Sequence, residues 1–553
     1  MLERSDSYED LIRSFEWSIP AHYNIATDAC EVWAEREPDR VALIFRDLSG
    51  TDVSWTYGAL NRAANRLANA LASGGVGRGD RVAILLPQSP EVVIAHLATY
   101  KLGAIALPLS VLFGVDGLLY RLSDAGARAI VTNAGGIERL ADIRFELESL
   151  KLILSVDGAG ALGAQGFQPM LEAASDRFET VATRPFDPAL MIYTSGTTGP
   201  PKGALHGHRV LPGHLPGIQF AHEFMPEPGD IAWTPADWAW AGGLLNLLLP
   251  ALKLGVPVVA SRFDKFDPEA AFGLLETYRV RNAFIPPTAL RLMRLVEAPR
   301  ARFDLRLRTI GSAGEALGSD TFEWARASLG LTINEFYGQT ECNAVIGSCN
   351  ALGVARAGAI GRATPGHSIA IVDQDGNVLP YGRLGQIAIR SPDPVMFLEY
   401  WNKPQATVEK FVGDWMVTGD VGVMSEDGYV SFVGRDDDVI TSSGYRIGPA
   451  EIEDCLASHP AVTLAAVVGK PDRLRTEIVT AYVRLADGVE PSADLKVTLS
   501  NHVRNRLSAH EYPREVQFVD EIPLTTSGKV IRRFFRERAR AEAAAEEAAK
   551  NWD

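Results

Sequence analysis

The chain of 553 residues carries 54 Lys and Arg against 69 Asp and Glu, a formal net charge of −15 at pH 7. That surplus excludes a general nucleic-acid binder, because affinity for a phosphate backbone needs an excess of Lys and Arg. With 46 % apolar and 22 % charged residues, a disordered or fibrous chain is excluded too, and a multi-part enzyme-sized protein is expected.

The opening MLERSDSYEDLIRSFEW has scattered charges and no apolar core, so no signal peptide is expected. The longest apolar run, Gly242 to Leu252, is interrupted by Asn246 and Pro250 and falls well short of the ~20 apolar residues of a membrane helix. Four cysteines, Cys30, Cys342, Cys349 and Cys455, form no disulfide framework or CxxC metal set and suit a reducing compartment. A soluble cytoplasmic protein without membrane insertion is expected.

From about Thr27 to Asn133, amphipathic helices (ACEVWAERE, TYGALNRAANRLANALASGG, SPEVVIAHLATYKLGA) alternate with short apolar strands (RVALIFR, DRVAILLP, IALPLS). Continuous apolar strands between helices imply a parallel sheet covered on both faces. The rhythm returns after Pro188 with ALMIYTS, DIAWTP, VPVVAS, NAFIPP, LRTIGSAG and TINEFYG, so two α/β layers are expected within the first 350 residues. After Gly358 come short alternating strands with hairpin signals at Asp375-Gly376 and Asp427-Gly428, expected to form an antiparallel, barrel-like segment. Beyond Gly434 a compact mixed unit follows: a helix at EIEDCLASHP, strands at AAVVGKP and EIVTAYVRL, a helix at LKVTLSNHVRNRLS, then VQFVDEIP and a terminal Ala- and Glu-rich surface helix. The expected fold is α/β: a large N-terminal domain of two α/β subdomains plus a distorted antiparallel barrel over 1–434, and a small mobile α+β domain over 435–553.

Tyr193 to Gly203, YTSGTTGPPKG, follows the apolar run ALMI. A strand feeding a loop of Gly, Ser and Thr presents backbone N–H groups and hydroxyls at one point, as a phosphate cradle requires. Thr194, Ser195, Gly196, Thr197 and Thr198 form it, and Lys202 adds a point charge. It is not a Walker A loop, because Lys202 follows Pro201 and precedes Gly203 instead of Ser or Thr.

YTSGTTGPPKG resembles the phosphate loop of the adenylate-forming superfamily, and further matches in the expected order cover most of the chain, most like medium-chain acyl-CoA synthetases. The resemblance makes Gly314-Glu315-Ala316 the adenine-facing turn. In EFYGQTE, Glu335 to Glu341, it puts Tyr337 against adenine, Thr340 on the α-phosphate and Glu341 on Mg²⁺, in keeping with the hard carboxylate that Mg²⁺ prefers. Asp420 of Thr418-Gly419-Asp420 takes the ribose hydroxyls. In GRDDDVITSSGYRIGPAEIE, Arg435 reaches the ribose, Asp437 is the hinge, Gly444 lines the coenzyme A path and Arg446 meets the ATP phosphates. TTSGKVIRR supplies Lys529 as the catalytic lysine, although Leu524 stands where the family more often continues Pro-Lys. Acetylation of Lys529 by a lysine acetyltransferase would delete its charge.

The activity so implied is an acyl-CoA synthetase using ATP, Mg²⁺ and coenzyme A, forming an acyl-adenylate and then a thioester. The acyl pocket is assigned to Trp240, Ala241, Gly242, Ala313 and Gly338. Acetate-specific relatives carry Trp at the position of Gly338 and Val-Thr at Ala241-Gly242, so a deeper pocket for a short-branched to medium-chain acid is expected. An aryl-acid CoA ligase, a carrier-protein loader, a luciferase-type oxidation of the adenylate and a non-catalytic nucleotide sensor are the alternatives. Two other features are read as structural. Gly158-x-Gly160-x-x-Gly163 has Gly166 and Pro169 where a dinucleotide-binding helix should run, and His206 and His208 lack a third ligand at metal spacing.

Overall fold

The computed structural model describes residues 2–47, 50–194, 200–263, 265–435, 438–442, 445–472, 475–506, 512–525 and 528–550. Among them, an eight-stranded sheet centres on Arg81–Leu85, flanked by the parallel strands Ile105–Pro108 and Ala129–Thr132. A nine-stranded sheet runs in parallel from Val41–Arg46 through Val258–Ser261, Ala232–Trp233, Asn282–Phe284 and Thr309–Ser312 to Ile333–Gln339.

The two α/β layers interleave along the chain. Val41–Arg46 pairs with Val258–Ser261 of the nine-stranded sheet, with Leu43 opposite Val258, whereas Pro188–Thr194 joins Ile105–Pro108 of the eight-stranded one. The expectation of one sheet over 27–133 is corrected here. Apolar strands of one kind can pair in either sheet, and that choice is made by contacts more than 200 residues apart. Helix Pro90–Lys101 is buried all round, as a helix between two sheets must be. It shares one core with Val82 and Ile84 of one sheet and Val258 and Ala260 of the other. Its terminal Lys101 is buried and ion-paired to Glu31.

The third body is an antiparallel sheet of Ile369–Val372, Gly385–Arg390, Trp415–Met424, Phe411–Val412 and Val430–Arg435. The turn at Asp427-Gly428 joins Trp415–Met424 to Val430–Arg435 as expected. At Asp375-Gly376 the chain does turn, with Asp373 N donating to Asn377 O at 3.0 Å, but the returning arm forms only the Val372–Val378 bridge. Pro380 soon afterwards cannot donate to a ladder, and Ile369–Val372 pairs with Gly385–Arg390 instead.

The small C-terminal domain packs helices Pro449–Ala457 and Ala493–Arg506 on a sheet led by Val462–Asp472 and Thr476–Leu485. The GxGxxG run reads as a loop: Ala161–Gly163 is a short 3-10 turn and a two-residue strand follows before Phe167–Ala173. No helix among the described residues is long and apolar enough to cross a membrane.

Candidate active site

Strands Ile333–Gln339 and Cys342–Gly347 form a hairpin in which Gln339 faces Cys342, leaving Thr340 and Glu341 as the two residues of its turn. The second arm bends where Ala344 adopts φ 57°, a left-handed conformation costly for a residue with a Cβ. Glu341 is only 7 % exposed. Its side chain accepts a hydrogen bond from the Tyr400 hydroxyl, and its carbonyl accepts Phe397 N at 2.7 Å.

Strand Pro188–Thr194, which leads into the expected phosphate loop, pairs antiparallel with Lys202–Gly207, Thr194 opposite Lys202. Ser195, Gly196, Thr197 and Thr198 lie outside the described residues. The Lys202 ammonium sits 4.6 Å from the centre of the Tyr400 ring, a cation–π approach. Tyr400 therefore joins the loop lysine to the carboxylate at the hairpin turn.

Asp420 collects three donors. Its Oδ2 accepts from the Tyr337 hydroxyl at 2.5 Å and from Gln339 Nε2 at 2.7 Å, while Oδ1 lies 3.2 Å from the Arg435 guanidinium. Strand pairing places Asp420 opposite Arg435. Asp420 is 5 % exposed, and burial beside this carboxylate raises the Tyr337 phenol well above its ordinary pKa.

Gly314, at φ 100°, follows strand Thr309–Ser312, which lies beside Ile333–Gln339. The side chain of Glu315 in the same turn accepts from Thr288 Oγ1 at 2.9 Å and Arg291 at 3.1 Å. Arg291 also donates to the Ala316 carbonyl and to Asp454 of the C-terminal domain, at 3.2 and 3.1 Å. Behind the turn, burial pushes the Glu335 carboxyl up to about 8, and one of its oxygens accepts Leu317 N at 3.2 Å.

Lys529 is exposed on a closed loop: Leu524 bridges Val530, and Thr525 N donates to the Lys529 carbonyl at 2.7 Å. A Cβ on Gly528 would lie 4.0 Å from Thr288 Cγ2, so the loop stands beside the Gly314–Ala316 turn. The loop is anchored by Arg532, which donates to Glu453 Oε1 at 2.8 Å and reaches Asp438 at 3.4 Å. Asp437, Gly444 and the side chain of Arg446 lie outside the described residues.

Around the assigned acyl pocket, Trp240 packs edge-on against Phe113 at 5.6 Å, and Ala313 is buried. A Cβ on Gly242 would meet Phe284 at 3.2 Å, and Phe284 in turn packs on Phe336. Gly338 requires a correction. A Cβ there would fall 2.3 Å from Asn343 Cα and 2.6 Å from Ala344 N, so the bent second arm of the hairpin already fills the volume attributed to a missing side chain. His206 and His208 are buried, and burial lowers both to about 4, so they are neutral packing residues.

The geometry thus brings Tyr337, Thr340, Glu341, Asp420, Arg435 and Lys202 to one end of the strands, with the Lys529 loop close to the neighbouring turn. The sequence does not single out Tyr400, Gln339 or Lys410, whose ammonium donates to Gln339 Oε1 at 3.2 Å. Gln339 stands inside EFYGQTE, Tyr400 is marked only by the aromatic pair Tyr400-Trp401, and Lys410 carries no signal. No group of three or more His, Cys, Asp or Glu residues among those described could hold a metal by itself. One buried carboxylate at a turn, with the Lys202 ammonium close by across Tyr400, still suits Mg²⁺, which is ordinarily bound by one or two carboxylates together with substrate phosphates and water.

The family model of the AMP-binding enzyme matches residues 30–401, and that of the AMP-binding enzyme C-terminal domain matches 451–529. The chain is 34 % identical to the human acyl-coenzyme A synthetase ACSM4, mitochondrial, over 94 % of this chain and 91 % of the relative. It is also 34 % identical to the acetyl-coenzyme A synthetase of Bacillus subtilis (strain 168), over 96 % and 94 %. The crystal structure of an acyl-CoA synthetase from Brucella canis superposes with a TM-score of 0.75 at 35 % identity, covering 97 % of this chain and 99 % of that one. The chain belongs to the AMP-binding enzymes, in their acyl-CoA synthetase branch, and is an AMP-forming acid–CoA ligase using ATP, Mg²⁺ and coenzyme A.

Proposed function

We propose that the protein activates a short-branched to medium-chain carboxylic acid in two half-reactions, carried out by a body over 1–434 and a swinging lid over 435–553. The carboxylate attacks the α-phosphorus of ATP and pyrophosphate leaves. Coenzyme A thiolate then attacks the acyl carbon and AMP leaves. The observation that carries this reading is the convergence of Thr340 and Glu341 with the Asp420 cluster, beside the loop of Lys529.

The obstacle in the first half is the approach of two anions, so fixed positive charge and aligned donors carry the catalysis. Thr194, Ser195, Gly196, Thr197, Thr198 and Lys202 hold the phosphates, joined by Arg446. Thr340 donates to the α-phosphate, and Lys529 reaches the carboxylate and α-phosphate as they meet. Glu341 would hold Mg²⁺, which would supply further neutralising charge beside the phosphates. Tyr337 and the turn Gly314-Glu315-Ala316 hold adenine, and Asp420 with Arg435 takes the ribose. No general base is needed, because the acid is already ionised at neutral pH.

In the second half Lys529 must leave. Rotation at Asp437 removes it and brings Gly444 to the thiol path, the large backbone change that a hinge absorbs. The wall formed by Trp240, Ala241, Gly242 and Ala313 carries the acid. Lys529 is exposed and so accessible to a lysine acetyltransferase, which would switch off adenylation. Full activity in a quantitatively Lys529-acetylated sample would reject that regulation. All four cysteines are buried and none lies in a CxxC pair, which supports a reducing, cytoplasmic location.

The test is a panel of C2 to C12 acids with benzoate, incubated with ATP and Mg²⁺, with and without coenzyme A. Acid-dependent pyrophosphate and sustained AMP formation requiring coenzyme A are expected, peaking between C4 and C8. A peak at acetate or benzoate would overturn the acid assignment, and absence of acid-dependent pyrophosphate would overturn the whole reading.

A further inference from the structure

Lys410 lies directly behind the nucleotide end of the site, in the segment VEKFVGDWMVTGD. Its ammonium has three donors, and three acceptors surround it: Gln339 Oε1 at 3.2 Å, the Val417 carbonyl at 3.3 Å and the Thr418 carbonyl at 3.2 Å. The main chain repeats the link, with Val417 N donating to the Lys410 carbonyl at 2.8 Å. The Gln339 amide then points one way. Its oxygen takes the ammonium, and its nitrogen donates to Asp420 Oδ2 at 2.7 Å and to the Thr418 carbonyl at 2.9 Å. A reversed amide would set its NH₂ against the ammonium and its oxygen against the carboxylate, two repulsions at once. Asp420 N is held in turn by Thr418 Oγ1 at 3.0 Å.

We propose that Lys410 is a positioning residue that sets the ribose acceptor Asp420, acting through the orientation of Gln339 and through the strand that carries Thr418. This rests on the reading of Asp420 as the ribose carboxylate. The ammonium does not need to touch substrate. Burial lowers its pKa, Glu341 and Asp420 favour its charged form, and Arg435 and Lys202 oppose it.

The experiment compares wild type with Lys410→Met, Lys410→Arg, Gln339→Leu and the Lys410→Met/Gln339→Leu double variant, using ATP and 3′-deoxy-ATP with a saturating acid. Wild type is expected to prefer ATP by at least about tenfold in kcat/KM, the loss typical of an unpaired buried acceptor. Lys410→Met should raise KM for ATP about tenfold with kcat within about threefold, and should flatten the preference over 3′-deoxy-ATP. Lys410→Arg should restore part of it, and the double variant should be no worse than the poorer single one, as expected for residues acting in series. A wild type indifferent to the 3′-hydroxyl would sink the Asp420 reading itself. A wild type that discriminates, with Lys410→Met retaining both its preference and its KM, would overturn the role of Lys410 alone. A loss confined to kcat, or additive effects in the double variant, would overturn it equally.

Discussion

Tyr337 donates its phenolic hydrogen to Asp420 at 2.5 Å, tying the strand of the nine-stranded sheet that leads into the Thr340-Glu341 turn to the antiparallel sheet that carries Asp420. The two side chains proposed to meet adenine and ribose are therefore built as one unit. Tyr337→Phe removes one charge-assisted hydrogen bond, a loss of roughly 1.5–3 kcal/mol, and should raise KM for ATP at least about tenfold. Asp420→Ala strips the shared acceptor from Tyr337, Gln339 and Arg435 together, so kcat/KM for ATP should fall by ~100-fold or more. Steady-state kinetics at fixed acid check both. Equal, small effects would separate Asp420 from the nucleotide.

The acyl pocket gives a second prediction. Gly338→Trp would force a side chain onto Asn343 and Ala344 backbone, and overpacking of that kind costs about 1–3 kcal/mol or more. Its expected result is a fall of several degrees in the unfolding midpoint, not a new chain-length preference. A Cβ at Gly242 would meet only the ring edge of Phe284, so Gly242→Val should narrow the pocket. The ratio of kcat/KM for hexanoate to that for propionate should drop about tenfold, and an unchanged ratio would remove Gly242 from the acyl wall.

Much of the fold was legible because apolar strand runs and amphipathic helices repeat along the chain, and because Gly and Asp mark turns such as Asp427-Gly428. The partner of each strand was not. Val41–Arg46 reads as a buried strand, yet its place beside Val258–Ser261 depends on packing between distant segments. The residue types at the site were visible in YTSGTTGPPKG, EFYGQTE and TGD, whereas Tyr400 and Lys410 are ordinary in sequence and matter only through where the chain brings them. Gly338 misleads for a related reason: an absent side chain reads as empty space, and the Ala344 bend that fills it has no sequence signature.

Glu335 predicts a pH dependence of stability. Its carboxyl titrates near 8 when folded and near ~4 when unfolded. Between those values the folded protein retains a proton that the unfolded chain has lost, so stability falls as pH rises through the window and levels off above it. Glu335→Gln keeps an acceptor for Leu317 N without the ionisation. The wild-type unfolding midpoint should drop more between pH 5 and pH 8.5 than that of the variant. Parallel curves would mean that Glu335 ionises freely in the folded state.

The most direct test of the proposed division of labour between body and lid is Lys529→Ala assayed in each half-reaction separately. Acid-dependent pyrophosphate release should fall by ~100-fold or more, as expected when a charge aimed at the transition state is removed. Thioester formation from a supplied acyl-adenylate and coenzyme A should stay within about threefold of wild type. Equal loss in both halves would contradict the account.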